Sequence, residues 1–339
     1  MYHSISILQC TILNHKLVSL SYTCISRFLS AGEGGASMKE YFKSAVLIGM
    51  CLFLIPLLVV YASGHDSSAL LKVVKGIAKE EKTPKDIINE ETLIGILAKE
   101  IPYNYEEEAI KAQVVVTRTY MARRILGIQS KGALIGYSID EMKVLWDKDY
   151  EKIYNIYKKA VESTYYEMIF YDNSPIEALY HRASSGKTRD AKSIYNKDIP
   201  YLKSIDSKLD LISRQIKLPK EKVVELIKEK YPEFIVDTQM LENQIQIVER
   251  DEADYVKMLQ VGNLTINGET FKEILSLPSS CFKVYASGNE LIFDVRGIGQ
   301  GIGLSQNGAN ELAKQGMTYK NIIKYYYTGV TIEKYDVQN

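Results

Sequence analysis

The segment from Leu97 to Met121, LAKEIPYNYEEEAIKAQVVVTRTYM, constrains this chain more than any other. Leu93 to Glu100 lie on a stretch, TLIGILAKE, with helical apolar spacing. Pro102 breaks or redirects that helix, because proline has no amide hydrogen and clashes with a helical turn before it. A second helix follows a polar turn, with Ala109, Ala112, Val115, Val116, Thr119 and Tyr120 on one face. Asn104, with Glu107 three residues on, reads as its N-cap and reciprocal partner. One carboxylate, Glu100, is left between the helices against apolar neighbours. Desolvation raises a carboxyl pKa and keeps a proton available near neutrality, which is what glycoside chemistry asks of an acid. The ordinary alternative for a glutamate beside a proline is a solvated helix end. Glu106, Glu107 and Glu108 open the second helix, where the macrodipole favours negative charge without any catalytic role.

The rest of the chain reads as α+β, mixed helices and short antiparallel strands without a regular β-α-β repeat. Further helices are predicted over 150–162, 220–231, 305–315 and 319–327, the second of them preceded by Pro219, where a missing N–H costs little. Strand-like runs occupy 168–171, 178–181, 256–261, 264–266 and 291–295. Asn173-Ser174-Pro175, Gly262-Asn263 and Asn267-Gly268 are turn signals between them.

Ala45 to Ala62, AVLIGMCLFLIPLLVVYA, is an uncharged run of eighteen residues, long enough to span a bilayer. Lys39 and Lys43 precede it, so residues 38–44 are expected to stay in the cytoplasm and the bulk of the chain to be exported. A cleaved signal peptide ending near Val60-Tyr61-Ala62 is the rival reading. Residues 1–37 carry no targeting pattern, and Met38-Lys39-Glu40 looks like a normal start, so 1–37 is read as a non-native extension. Residues 63–85 read as a polar, Lys-rich stalk, and 86–339 as the exported domain. Cys281 is the one cysteine of that domain, so no intramolecular disulfide is expected there. Lys plus Arg and Asp plus Glu both number 42, and this balance gives no sign of a nucleic-acid partner.

Three segments carry a family likeness. The first runs from Glu100 through Glu108, Ala109, Lys111, Ala112, Gln113, Arg118, Thr119 and Tyr120. The second is Tyr180-His181-Arg182-Ala183-Ser184-Ser185-Gly186-Lys187-Thr188 with Pro200 to Asp206. The third is Gly297 to Asn310, ending at Tyr326-Tyr327-Thr328-Gly329. In this order they resemble the stage II sporulation protein D family of peptidoglycan lytic transglycosylases. The resemblance implies a membrane-anchored enzyme with its catalytic domain outside the cytoplasm, on the mother-cell membrane facing the septal space. It would cleave denuded glycan strands during endospore engulfment, with stage II sporulation proteins P and M as partners. Glu100 would be the catalytic acid and base. The implied substrate-binding residues are Gln113, Arg118, His181, Ser184, Ser185, Gly186, Tyr201, Gln300, Ser305 and Gln306. A lytic transglycosylase manages with one carboxylate, and the three segments offer no obvious second one of the kind a two-acid glycosidase needs.

The chemistry of these residues admits other readings. A lone histidine such as His181 is more often structural than catalytic. Ser184 near His181 invites a Ser-His hydrolase, but no G-x-S-x-G elbow is present. The glycines at 297, 299, 301 and 303 invite a dinucleotide site, yet the spacing G-x-G-x-G-x-G lacks the third glycine that motif requires. Alternating glycines more readily let the backbone approach a ligand or another strand. Gln300 stands where the family usually has histidine. The zinc ligands of some relatives, one histidine and two cysteines, have no counterpart between Arg124 and Trp146, so neither a metal nor a cofactor is expected. A glycan-binding scaffold without catalytic activity is the alternative from a different class.

Overall fold

The computed structural model describes residues 89–128 and 134–335. The extension 1–37, the tail 38–44, the apolar run 45–62 and the stalk 63–85 lie outside the described residues. Among the described residues no helix is long and apolar enough to cross a membrane.

Helix α1, Glu90–Glu100, starts where the Asn89 side chain accepts a hydrogen bond from the Thr92 amide at 2.6 Å. It ends because Ile101 is extended (φ −130°, ψ 138°), as a residue preceding proline prefers. Helix α2, Glu107–Ile125, has Glu106 rather than Asn104 at its N-cap, and Glu106 makes no side-chain capping bond. Its amide instead donates to the Asn310 side chain at 2.8 Å. A distant residue replaces the local cap that the sequence suggested. Helix α3, Ile139–Trp146, is opened by a capping box of Ser138 and Glu141, and α4 spans Tyr150–Ser163. Leu93, Ile94 and Leu97 of α1 pack with Ile110 and Val114 of α2, Met142 of α3, and Ile153 and Tyr157 of α4.

The chain continues through β1 (Glu167–Tyr171), β2 (Ser174–Pro175), β3 (Tyr180–His181) and the short helix α5 (Ala191–Tyr195). Next come β4 (Ser213–Pro219), α6 (Lys220–Lys230), β5 (Ile245–Arg250), β6 (Val256–Val261), β7 (Leu264–Asn267), α7 (Gly268–Ile274), β8 (Phe282–Ser287) and β9 (Glu290–Arg296). The last elements are β10 (Leu304–Ser305), α8 (Gln306–Lys314), α9 (Tyr319–Tyr326) and β11 (Thr331–Lys334). Sheet orders are β11-β1-β2, β4-β9-β8 and β5-β6-β7, all antiparallel, which with the helices makes an α+β fold. The pair β3–β10 departs from the antiparallel expectation: it is parallel, with Tyr180 opposite Leu304 and His181 opposite Ser305.

Two cores lie beyond the first. One joins α2, α8, α9 and β1 through Val115, Val116, Ile169, Leu304, Ala309, Ile322, Ile323 and Tyr326. The other belongs to residues from β4 to β9 and holds Val223, Ile227, Leu259, Phe271, Phe282, Leu291 and Phe293. That second core separates the Tyr180 segment from the glycine segment in sequence, while β3 and β10 bring the two together in space. Arg189 links both sides. Its Nε donates to Asp251 at 2.6 Å, its Nη1 to Glu269 at 2.6 Å, and its guanidinium lies 4.5 Å from the centre of the Tyr255 ring.

Candidate functional site

Glu100 is the last residue of α1, and its side chain is partly buried. The Tyr180 side chain of β3 lies beside its carboxylate. Burial, and then the Glu100 charge and hydrogen bond, push the Tyr180 phenol well above its ordinary range, so the phenol keeps its proton and acts as the donor. The Glu100 side chain itself remains in reach of solvent. Successive side chains of a strand point to opposite faces. Tyr180 therefore turns to Glu100 while His181, its neighbour, turns inward. That alternation was the available signal for Tyr180, which the sequence reading passed over in favour of His181.

Gln306, the first residue of α8, ties the three segments together. Its Nε2 donates to the backbone carbonyl of Glu100 at 3.0 Å and to Gln113 Oε1 at 3.3 Å. Gln113 Nε2 in turn donates to Thr117 Oγ1 at 3.1 Å. With both Nε2 hydrogens engaged, Gln306 Oε1 is the acceptor for Arg182 Nη1 at 3.5 Å. Gln113 and Gln306 are buried, so this is an internal brace that fixes the end of α1 against α2 and α8.

With this geometry in view, comparison with known proteins is decisive. Residues 78–171 match the family model described as Stage II sporulation protein. The chain is 31% identical over 259 residues to stage II sporulation protein D of Bacillus subtilis, covering 73% of this chain and 75% of that one. It is 32% identical over 266 residues to stage II sporulation protein D of Bacillus amyloliquefaciens, covering 73% and 74%. The chain belongs to the stage II sporulation protein D family. A further relative, a Bacillus subtilis protein named amidase enhancer, is 26% identical over 301 residues, covering 72% of this chain and 40% of that one.

The remaining residues that the family likeness singled out fall into an inner and an outer group. His181 is buried; its Nδ1 lies 3.0 Å from the Ile302 carbonyl, and its Nε2 has no hydrogen-bond partner among the described residues. Burial lowers its pKa to about 4, so the ring is neutral at ordinary pH. Ser184 Oγ donates to Asp210 Oδ1 at 2.6 Å and its amide to Asp210 Oδ2 at 3.1 Å, while Ser305 Oγ also donates to Asp210 Oδ2. Both serines are fully buried, and their hydroxyls clamp the two loops together around Asp210, a residue the sequence did not mark. Ser185 Oγ donates to the Ala253 carbonyl at 2.9 Å. Arg118 is also buried, and its Nη1 donates to the carbonyls of Thr164 at 2.6 Å and Glu167 at 3.0 Å, bracketing the α4–β1 corner. In this arrangement Arg118, Ser184, Ser185 and Ser305 are shielded from solvent, so they hold the site together rather than line it.

The outer group is Gly186, Tyr201 and Gln300. Tyr201 is partly exposed, and its hydroxyl accepts from the Glu177 amide at 3.1 Å. Gln300 has an exposed side chain on the glycine loop, and its carbonyl accepts from Arg189 at 3.2 Å. The loop's glycines do approach another strand closely. A Cβ on Gly303 (φ +72°) would stand 1.9 Å from the Leu179 carbonyl oxygen, and one on Gly299 (φ +100°) would stand 3.0 Å from the His181 Cβ. Among the described residues no group of three or more His, Cys, Asp or Glu side chains is placed to hold a metal ion.

Proposed function

We propose that this protein is a peptidoglycan lytic transglycosylase with Glu100 as its single acid and base. The observation that carries the reading is the partly buried Glu100 side chain, beside the Tyr180 phenol, at the point where Gln306 joins the three family segments. Glu100 protonates the glycosidic oxygen between N-acetylmuramic acid and N-acetylglucosamine, and the sugar bond to the leaving 4-oxygen breaks. The muramic 6-hydroxyl closes on C1, and the Glu100 carboxylate takes its proton. No water is consumed, and a 1,6-anhydro end results. One residue serves both steps, as general acid–base catalysis allows.

Family membership supports a role in sporulation. The cell wall as the place of action accords with the name of the amidase enhancer relative. We extend the proposal to denuded strands during engulfment, to an anchor at 45–62 with the catalytic domain outside the cytoplasm, and to partnership with stage II sporulation proteins P and M. Mass spectrometry of digested denuded glycan tests the reaction: anhydro ends support it, ordinary reducing ends point to a hydrolase. The second reading, a glycan-binding scaffold, is favoured by Gln300 at the position where the family usually has histidine. Intact strands that remain bound would establish it.

A further inference from the structure

Arg182 stands two residues beyond Tyr180, just past the end of β3. Its Nη1 donates to Gln306 Oε1 at 3.5 Å, and the other end of that carboxamide bonds the Glu100 carbonyl. One amide group thus spans the guanidinium and the catalytic residue. The guanidinium lies 5.2 Å from the centre of the Tyr105 ring, and the Arg182 carbonyl accepts from the Asn307 amide at 3.0 Å. Its position is fixed by a stack, a side-chain bond and a backbone bond. Yet no carboxylate lies within ion-pair distance of it among the described residues, whereas Arg189 has two and Arg250 and Arg296 one each. The side chain is partly exposed. A preorganised guanidinium with donors to spare is suited to a planar anion, which it grips with two parallel hydrogen bonds.

The substrate reading above supplies such an anion. Removing a stem peptide from a muramic residue converts its lactyl amide into a free carboxylate. We propose that Arg182 reads this lactyl carboxylate and so makes the site selective for stripped strands. This rests on the reading of the site as one for denuded glycan, and adds a specificity-determining residue to it. A strand still carrying its peptides presents a neutral amide there, which cannot accept the paired charge-assisted bonds.

The test compares fluorescently labelled denuded strands with the same strands whose lactyl carboxylates are capped as methylamides. Binding is measured by anisotropy on the full chain carrying Glu100→Gln, so that turnover does not interfere, and product ends are measured on the unmodified chain. Capping should weaken binding about tenfold or more, as loss of a charge-assisted pair implies. Adding Arg182→Gln should bring the uncapped strand down to the capped level, and Arg182→Lys should restore part of the difference. The capped strand reads the effect on intact Arg182, so a folding defect in a variant does not obscure it. Equal binding of both strands, or discrimination that survives Arg182→Gln, overturns the proposal. Anhydro ends formed equally from both strands would reject the Arg182 assignment and leave the transglycosylase reading standing. Carboxylate-dependent binding without anhydro ends would do the reverse.

Discussion

At the residue scale, two neighbours on one strand do opposite things. The Tyr180 phenol keeps its proton beside Glu100, so Tyr180→Phe should lower kcat about tenfold with KM little changed, the loss expected for one hydrogen bond to a charged group. Steady-state assays on labelled glycan check this, and an unchanged kcat would remove Tyr180 from the mechanism. His181 is buried and neutral, with a pKa of about 4 against its ordinary 6.5. Between those pH values the unfolded chain binds a proton that the folded chain does not. Stability therefore rises with pH through this window and is fully present above 6.5. His181→Gln removes that linkage. The stability difference between parent and variant should change by up to roughly 3 kcal/mol across the window and be flat above it. Urea titrations at a series of pH values measure it, and parallel curves for the two proteins would show that His181 does not titrate this way.

At the element scale, the glycine loop and β3 depend on close backbone approach. Gly303→Ala would place a methyl 1.9 Å from the Leu179 carbonyl oxygen in a left-handed backbone, whereas Gly316, also at positive φ (+86°), has open space around it. Gly303→Ala should destabilise by more than about 2 kcal/mol and Gly316→Ala by roughly 1 kcal/mol, as strain and crowding add at the first site only. Equal melting temperatures for the two variants would contradict the packing account. Elements with a strong local period were legible in sequence: α1, α2, α4, α6, β6 and the closing helices fall close to their predicted spans. The three strands β4, β5 and β8 were not. Their residues alternate around charged positions such as Arg214, Lys217 and Lys283, and only pairing with β9 and β6 makes strands of them. The cap of α2 was misread for the same reason, since Asn310 supplies it from more than two hundred residues away in sequence. In the site, Pro102 and the apolar setting left Glu100 open to the solvated-helix-end reading, and Glu100, Gln113 and Gln306 all came from the family likeness. Asp210 was invisible, because nothing in its local sequence, Ser207 to Leu211, announces a buried carboxylate receiving bonds from two distant loops.

Across the whole molecule, Arg189, between β3 and α5, couples that segment to the β4-to-β9 region through two carboxylates and a ring. Arg189→Met leaves the buried Asp251 carboxylate without its cation, which should cost about 3–5 kcal/mol. Calorimetry should then show two unfolding transitions where the parent shows one; a single transition at the parent temperature would mean the cores are joined by other means. Three segments spread over some two hundred residues are folded so that Gln306, Tyr180 and Glu100 meet, and the proposed function places its chemistry on that one carboxylate. The most direct test of that account is product analysis of Glu100→Gln on denuded glycan. The parent should give 1,6-anhydro ends. The variant should give less than about a hundredth as many, because general acid–base assistance is worth ~10²–10⁴-fold, with its melting temperature and strand binding retained. Glu107→Gln should stay near the parent rate, since charge at a helix start is worth only about 0.3–1 kcal/mol. Retention of more than about a tenth of the anhydro ends by Glu100→Gln, well above what the loss of such assistance permits, would contradict the assignment of Glu100.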